Sequence, residues 1–194
     1  FTGCVNALDW TIIDDEIALF VGGDFSKAGP SISNNIARFN TTNLKWQPLP
    51  DGGIDDEVHV VQHSSYTDRI LIGGEFTQAG NDSVSNLAVF DYVAGAWDNP
   101  LSGPDGPVYA FRYNAPNEWW VGGRYDSVGT QEVGPLALWS ETIETWNASA
   151  IEIDGTVYVI ESAGSSGLAV GGLFDFIADS ANVNNIFLLQ MTDT

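Results

Sequence analysis

One cysteine, one methionine and two histidines are all that this 194-residue chain offers for thiol or soft-metal chemistry. A disulfide scaffold is excluded, because Cys4 has no partner in the chain. Basic residues are nearly as sparse: six Lys and Arg stand against 26 Asp and Glu, a formal net charge of −20. Such a surface repels phosphate backbones and anionic headgroups, so nucleic-acid and membrane-surface partners are not expected. Apolar runs are short, far below the ~18 residues that a membrane-spanning helix needs. No stretch sustains the ~3.6-residue apolar spacing of a helix, so helices should be scarce. No charged and then apolar leader precedes Phe1, so any signal peptide is expected to have been removed.

What the chain does have is glycine, in a pattern. The stretch FVGGDFSKAG, centred on Gly22-Gly23, returns as LIGGEFTQAG at Gly73-Gly74, WVGGRYDSVG at Gly122-Gly123 and AVGGLFDFIA at Gly171-Gly172. A period of about fifty residues marks one supersecondary unit copied in tandem. Thirteen residues after the first glycine stand Asn35, Asn86, Pro135 and Asn184, each ahead of a short apolar run. Trp46, Trp97 and Trp146 follow at a fixed offset in three copies, and the fourth would fall just past Thr194. Another apolar run opens each copy at Val5, Val58, Val108 and Val157. Short apolar runs separated by Asp-Gly and Pro-Asp-Gly turns read as four strands per repeat. The chain is long enough for such repeats to form one continuous unit. The boundaries expected are 5–50, 58–101, 108–150 and 157–194, with the last repeat stopping where a fourth strand should begin.

Glycine pairs weaken strand interiors, so a recurrent pair at a strand end marks close backbone approach or a bulge. The aromatic that follows (Phe25, Phe76, Tyr125, Phe174) is expected to fold back over it, and the tryptophans to pack sheet on sheet. No GxGxxG spacing leads into a helix, so a phosphate-cradling role is not expected, nor is any cofactor.

Four short strands, a double glycine ending the second and a tryptophan on the fourth resemble a kelch or galactose-oxidase-type β-propeller blade. The wording VGGDFSKAG, SNNIARFN and KWQPLPDGG is similar to the repeats of fungal bud-site-selection or cortical polarity-marker proteins. The resemblance implies an all-β, propeller-like array of antiparallel blades in a secreted or membrane-tethered, glycosylated ectodomain that works by interaction.

Catalytic constellations are thin. His59 and His63 lie four apart on an expected strand, which would place them on one face, but no third metal ligand accompanies them. Asp14-Asp15-Glu16 and Asp55-Asp56-Glu57 lack the alternating spacing of a calcium loop and read as solvated tips. An enzyme with its site on the propeller axis, carbohydrate-active or redox, would need acids such as Asp14, Asp55, Asp105, Glu118, Asp154 and Glu161 to converge. Glu118-Trp119-Trp120 could form an aromatic recognition loop, although strand entry fits it better. Cys4 admits two readings, an intermolecular or lost disulfide partner and a small buried residue at a strand start.

Three sequons, at Asn40, Asn81 and Asn147, would accept N-glycans, where composition alone gives about two by chance. The function expected is a non-catalytic extracellular or cell-surface module, structural or interacting. Its partners would be other protein chains, including copies of itself added at the open edge of the last blade. A fragment of a longer propeller, a closed four-bladed ring and an open arc completed by another copy all remain compatible with the repeat count.

Overall fold

The computed structural model describes residues 1–149, 151–164, 167–174 and 185–190. Two compact units divide it, Phe1–Gly103 and Pro104–Thr194. In the first unit, blade 1 is β1 (Gly3–Ile13), β2 (Glu16–Phe25), β3 (Ile36–Asn40) and β4 (Lys45–Pro48), hydrogen-bonded in that order. Blade 2 repeats the order with β5 (Val58–His63), β6 (Arg69–Gly74), β7 (Leu87–Asp91) and β8 (Ala96–Trp97). In the second unit, blade 3 is β9 (Val108–Ala115), β10 (Glu118–Gly123), β11 (Leu136–Ser140) and β12 (Thr145–Ala148). Blade 4 is described through β13 (Thr156–Ser162), β14 (Gly167–Leu173) and β15 (Ile186–Gln190). The chain is therefore all-β, a propeller-like array of four-stranded antiparallel blades. The strand expected to be missing after Gln190 concerns residues 191–194, outside the described residues.

Local chemistry explains each corner. Asp14 and Asp15 both take positive φ (52° and 63°) and close a two-residue hairpin between Ile13 and Glu16. That left-handed pair matches the twist of the flanking strands. After the second strand the chain makes a small ribbon, Lys27–Ala28 against Ser31–Ile32, copied by Gln78–Ala79 with Asp82–Ser83 and by Ser127–Val128 with Gln131–Glu132. It then turns into the third strand through a left-handed asparagine. Asn35 sits at φ 59° and accepts the Phe25 N–H on its side-chain oxygen at 2.9 Å. Its side-chain amide donates to the Ile54 carbonyl at 3.0 Å. Asn86 accepts from Phe76 N–H in the same way. In blade 4 that residue is Asn185 (φ 72°), which accepts from Phe174 N–H at 3.2 Å, and not Asn184. One extra residue precedes β15, because Gly171 pairs with Ile186 where Gly22 pairs with Ile36. Asparagine tolerates the left-handed region and its side chain satisfies a backbone donor at the same time.

The two glycines of each pair serve different neighbours. A Cβ on Gly23, Gly74, Gly123 or Gly172 would overlap the carbonyl of Cys4, Glu57, Pro107 or Thr156 on its own first strand. The folded-back aromatic adds to this: Phe76, Tyr125 and Phe174 ring atoms would lie 2.8 to 2.9 Å from the added carbon. The first glycine instead faces the next blade. A Cβ on Gly22 would overlap Val58 and lie 2.8 Å from Val61, and one on Gly122 would meet Val157 and Ile160.

Every first strand carries a β-bulge, between Val5 and Ala7, Val58 and Val60, Val108 and Ala110, and Val157 and Val159. The extra residue reverses the alternation of faces. Val58 and Val61, three apart, thus share the face that packs on blade 1. That shift also separates the histidines. His59 is the bulged residue, and it does not share the face of His63 as plain period-two spacing requires.

Around this junction Phe20, Ile36, Val58, Val61, Ile70, Ile72 and Ala88 form one buried cluster. The tryptophans pack mainly within their own blades: Trp46 on Phe39 (4.8 Å), Trp97 on Phe90 (5.3 Å), Trp146 stacked on Trp139 (5.9 Å, 28°). Trp97 also donates its indole N–H to the Pro50 carbonyl ahead of the junction.

Candidate functional site

The bulge delivers β5 into contact with β1, and one polar line results. Asp9 Oδ2 accepts from the His63 backbone N–H (2.7 Å), from Gln62 Nε2 (2.9 Å) and from His63 Nδ1 (3.0 Å). His63 Nε2 lies 3.3 Å from Ser65 Oγ, in the turn after β5. With Nδ1–H donating to Asp9, Nε2 is left as the acceptor for the Ser65 hydroxyl. An open cavity of about 350 Å³ lies over this line, with Trp10, Ile12, Tyr66 and Tyr92 in its walls. The pair Asp9 and His63 is 54 residues apart and invisible to any local motif. Only the expected stacking of repeats could have pointed to it.

Four of the other acids, Asp55, Asp105, Glu118 and Glu161, bind neighbours within their own unit. Asp55 accepts from Thr77 N–H, Thr77 Oγ1 and Gln78 N–H, clamping the ribbon of blade 2. Asp105 does the same for Asp126 N–H, Ser127 N–H and Ser127 Oγ in blade 3. Burial works to raise both carboxyls, but these hydrogen bonds outweigh it and hold each below the ordinary carboxylate value. The Asp55 cluster is therefore a set of clasps more than the solvated tip read from its sequence: Glu57 also accepts from Asn6 Nδ2 at 2.8 Å. Glu118 accepts from Asn114, and Glu161 from Arg112 (3.1 Å). His59 lies 3.9 Å from Glu57. Among the described residues no three His, Cys, Asp or Glu side chains gather as a metal site.

Burial decides between several of the alternatives left by the sequence, and for Trp119-Trp120 it agrees with strand entry. Trp119 and Trp120 are buried in β10, bonded to Glu141 Oε2 (3.1 Å) and Asn114 Oδ1 (3.2 Å), so no aromatic loop forms there. Cys4 is exposed, which removes its reading as a small buried residue. Asn81 and Asn147 are exposed, Asn147 on the edge strand β12. Asn40 is buried, its amide donating to Glu16 Oε2 (2.8 Å) and its oxygen accepting from Thr42 and Asn43 N–H. A glycan there would displace those bonds.

Two sheet faces stand out because their copies elsewhere are covered. On β1 the bulge aligns Val5, Leu8, Trp10 and Ile12 on the face equivalent to that of Val58 and Val61. Val58 and Val61 are 0% and 4% exposed, whereas Val5 and Leu8 are 43% and 65% exposed. Trp10, Ile12 and Ile17 are also exposed. On blade 4, Val159, Ile186 and Leu188 surround Gly171 on the face equivalent to that of Gly22, and all three side chains are exposed. Among the described residues, a Cβ on Gly171 would meet Val159 and the Asn185 carbonyl, both of its own blade.

The comparisons agree with the architecture. Residues 16–43, which span β2 and β3 of blade 1, match a family model described as "Domain of unknown function (DUF5122) beta-propeller". Among solved structures, the chain is similar to the crystal structure of RRP9 WD40 repeats, with a TM-score of 0.59 at 12% identity. That likeness covers 89% of this chain and 46% of the RRP9 chain, so the chain spans about half the length of that propeller. At such identity the fold alone is shared. No curated protein matches the chain in sequence.

Proposed function

We propose that the chain is a non-catalytic protein-interaction module of a kelch-like, extracellular or cell-surface propeller, of the kind borne by fungal cortical polarity markers. The observation that carries this is the pair of uncovered apolar faces, around Leu8 on blade 1 and Leu188 on blade 4. Contiguous exposed apolar side chains on a monomer mark interaction sites. The exposed sequons at Asn81 and Asn147 and the strongly acidic surface support an extracellular setting. A photo-cross-linking residue placed at Leu8, and separately at Leu188, in the full native polypeptide tests it. Covalent capture of protein segments at both positions is expected. Solvent-quenched label with no protein adduct at either position overturns it.

A competing reading, in which the chain is an enzyme that transfers acyl groups through Ser65, draws on the Asp9–His63–Ser65 line under the open cavity. There His63 Nε2 would take the Ser65 proton as Oγ attacks an ester carbonyl and would return it to the departing alcohol as the ester C–O bond breaks, leaving an acyl group on Ser65, with Asp9 holding the imidazole. A fluorophosphonate probe decides it: labelling of Ser65 that is lost in His63→Gln supports catalysis, and an unlabelled serine removes it.

A further inference from the structure

We infer that Arg38 and the cavity beside it form a binding site for a carboxylate carried on a small apolar group, separate from the two apolar faces described above. The site lies wholly within the first unit, where β3 and β4 of blade 1 meet β7 of blade 2. Side chains alternate along β3. Ala37 and Phe39 pack with Trp46 of their own blade, while Ile36 joins the core shared with blade 2. Arg38 is therefore on the Ile36 side, flanked across the strands by Phe20 and Gln47. An open cavity of about 300 Å³ lies there, with Arg38, Gln47, Leu49, Phe90 and Tyr92 in its walls. It shares Tyr92 alone with the cavity over His63.

The repeats make Arg38 an exception. Its equivalents in the other blades, by strand register, are Val89, Leu138 and Leu188, all aliphatic. In blade 3 that leucine packs on the core shared with blade 4. At Arg38 a charge stands in the sealing position, and the protein leaves it unmet. The Arg38 Nε–H is buried without an acceptor, and among the described residues no carboxylate pairs with the guanidinium. This happens in a chain with 26 Asp and Glu, where Arg69 finds Asp98 and Arg112 finds Glu161. No residue lining the cavity is acidic. A buried donor without an acceptor costs free energy that a leucine would not, so packing alone does not explain the arginine.

The cavity selects its ligand by charge and by wall. A carboxylate lies in the guanidinium plane and accepts two parallel N–H bonds along one edge. A small rotation of the side chain presents the Nε–Nη edge, which gives the buried donor its acceptor. The Gln47 amide adds an uncharged donor from the neighbouring strand. A phosphate dianion would need a second cation, and the formal −20 of the chain opposes it further. Leu49 and Phe90 are 4% and 5% exposed, so the walls away from Arg38 are apolar and suit an arene or aliphatic group. The volume is near the lower end for ligand pockets, enough for a group the size of one amino-acid residue. Two sources carry that chemistry: the carboxyl end of a polypeptide with an apolar last residue, and a free arene-bearing acid.

The test uses the full chain labelled with nitrogen-15 at arginine. Arg38→Leu identifies the Arg38 Nε–H signal by its loss. The labelled protein is titrated with N-acetylphenylalanine, 3-phenylpropionate, the amide of each, and inorganic phosphate. Both carboxylates should move the Arg38 signal to saturation, and the amides should bind at least about tenfold more weakly. Tighter binding of N-acetylphenylalanine assigns a polypeptide end, and tighter binding of 3-phenylpropionate assigns a free acid. Followed on the ligand, binding should fall at least about tenfold in Arg38→Leu and in Arg38→Lys, which keeps the charge but not the fork. Arg38→Leu should melt no lower than the native chain, because the other blades carry an aliphatic residue there. An Arg38 signal unmoved by both carboxylates up to their solubility limits overturns the site, as does equal movement by the amides. Saturation by phosphate ahead of both carboxylates overturns the monocarboxylate as its ligand.

Discussion

Blades 1 and 2 are written in nearly the same words yet live in different solvents. Val58 and Val61 are sealed in a core, while Val5 and Leu8, at the same strand positions on either side of the same bulge, are exposed. The chemistry of the residues cannot account for the difference, since both pairs are aliphatic. The neighbour does. In blades 2 and 4 the first strand packs on the first glycine of the blade before it, through Val58 and Val61 on Gly22 and through Val157 and Ile160 on Gly122. A repeat of this type is half a core, completed only by its successor, as in other stacked arrays.

That comparison can be broken most forcefully at Ile70, which lies on the covered face of blade 2. Ile70→Ala should destabilise by about 2–5 kcal/mol in urea titration, the range for an emptied core site. Leu8→Ala, on the corresponding face of blade 1, should cost less than about 0.5 kcal/mol in dilute solution. Equal losses would mean that blade 1 is already covered. Next in size, Gly22→Ala should cost about 1–3 kcal/mol by overpacking Val58 and Val61. Gly171→Ala should cost much less, because the exposed Val159 can rotate away; thermal melts of the two variants side by side measure the contrast. Asn35→Ala should cost about 1–2 kcal/mol, leaving the Phe25 N–H and the Ile54 carbonyl without their partner. Asn35→Gly should recover part of that loss, because glycine keeps the left-handed turn.

The smallest effect lies in the clasps, one in each unit. Asp55 and Asp105 have carboxyls lowered in the folded state, so their contribution is complete above the ordinary carboxylate value. It vanishes as pH falls through the lowered folded value. Asp55→Asn and Asp105→Asn should therefore flatten the acid limb of the stability curve and cost under about 1 kcal/mol each near neutrality, since water screens both side chains. Unchanged acid limbs in both variants would show the clasps to be idle.

The blade count, the strand order and the role of the glycine pairs were legible in the sequence because they rest on repetition and on glycine's missing side chain. Four features were not. The bulge at Asn6, His59, Tyr109 and Tyr158 adds one residue without any distinctive residue type, so the faces of His59 and His63 were misassigned. The fourth-blade asparagine slipped by one, to Asn185, because a single inserted residue leaves the local wording intact. The contact of Asp9 with His63 depends on how one blade sits on the next, and no spacing rule within a strand encodes it. Burial of Asn40 was equally hidden: its sequon is a correct triplet, but Glu16 and the following turn consume its amide.

The stacked indoles of Trp139 and Trp146 give the second unit an optical signature of its own. Two buried indoles 5.9 Å apart and inclined by 28° couple their transition dipoles, which splits the ultraviolet band into a circular-dichroism couplet. Trp46 and Trp97 in the first unit are each paired with a phenylalanine, whose transitions lie too far away in energy to couple in the same band. The couplet therefore reports blade 3 alone, and its loss during denaturation can be timed against the loss of total strand signal, giving the two units separate clocks in one experiment.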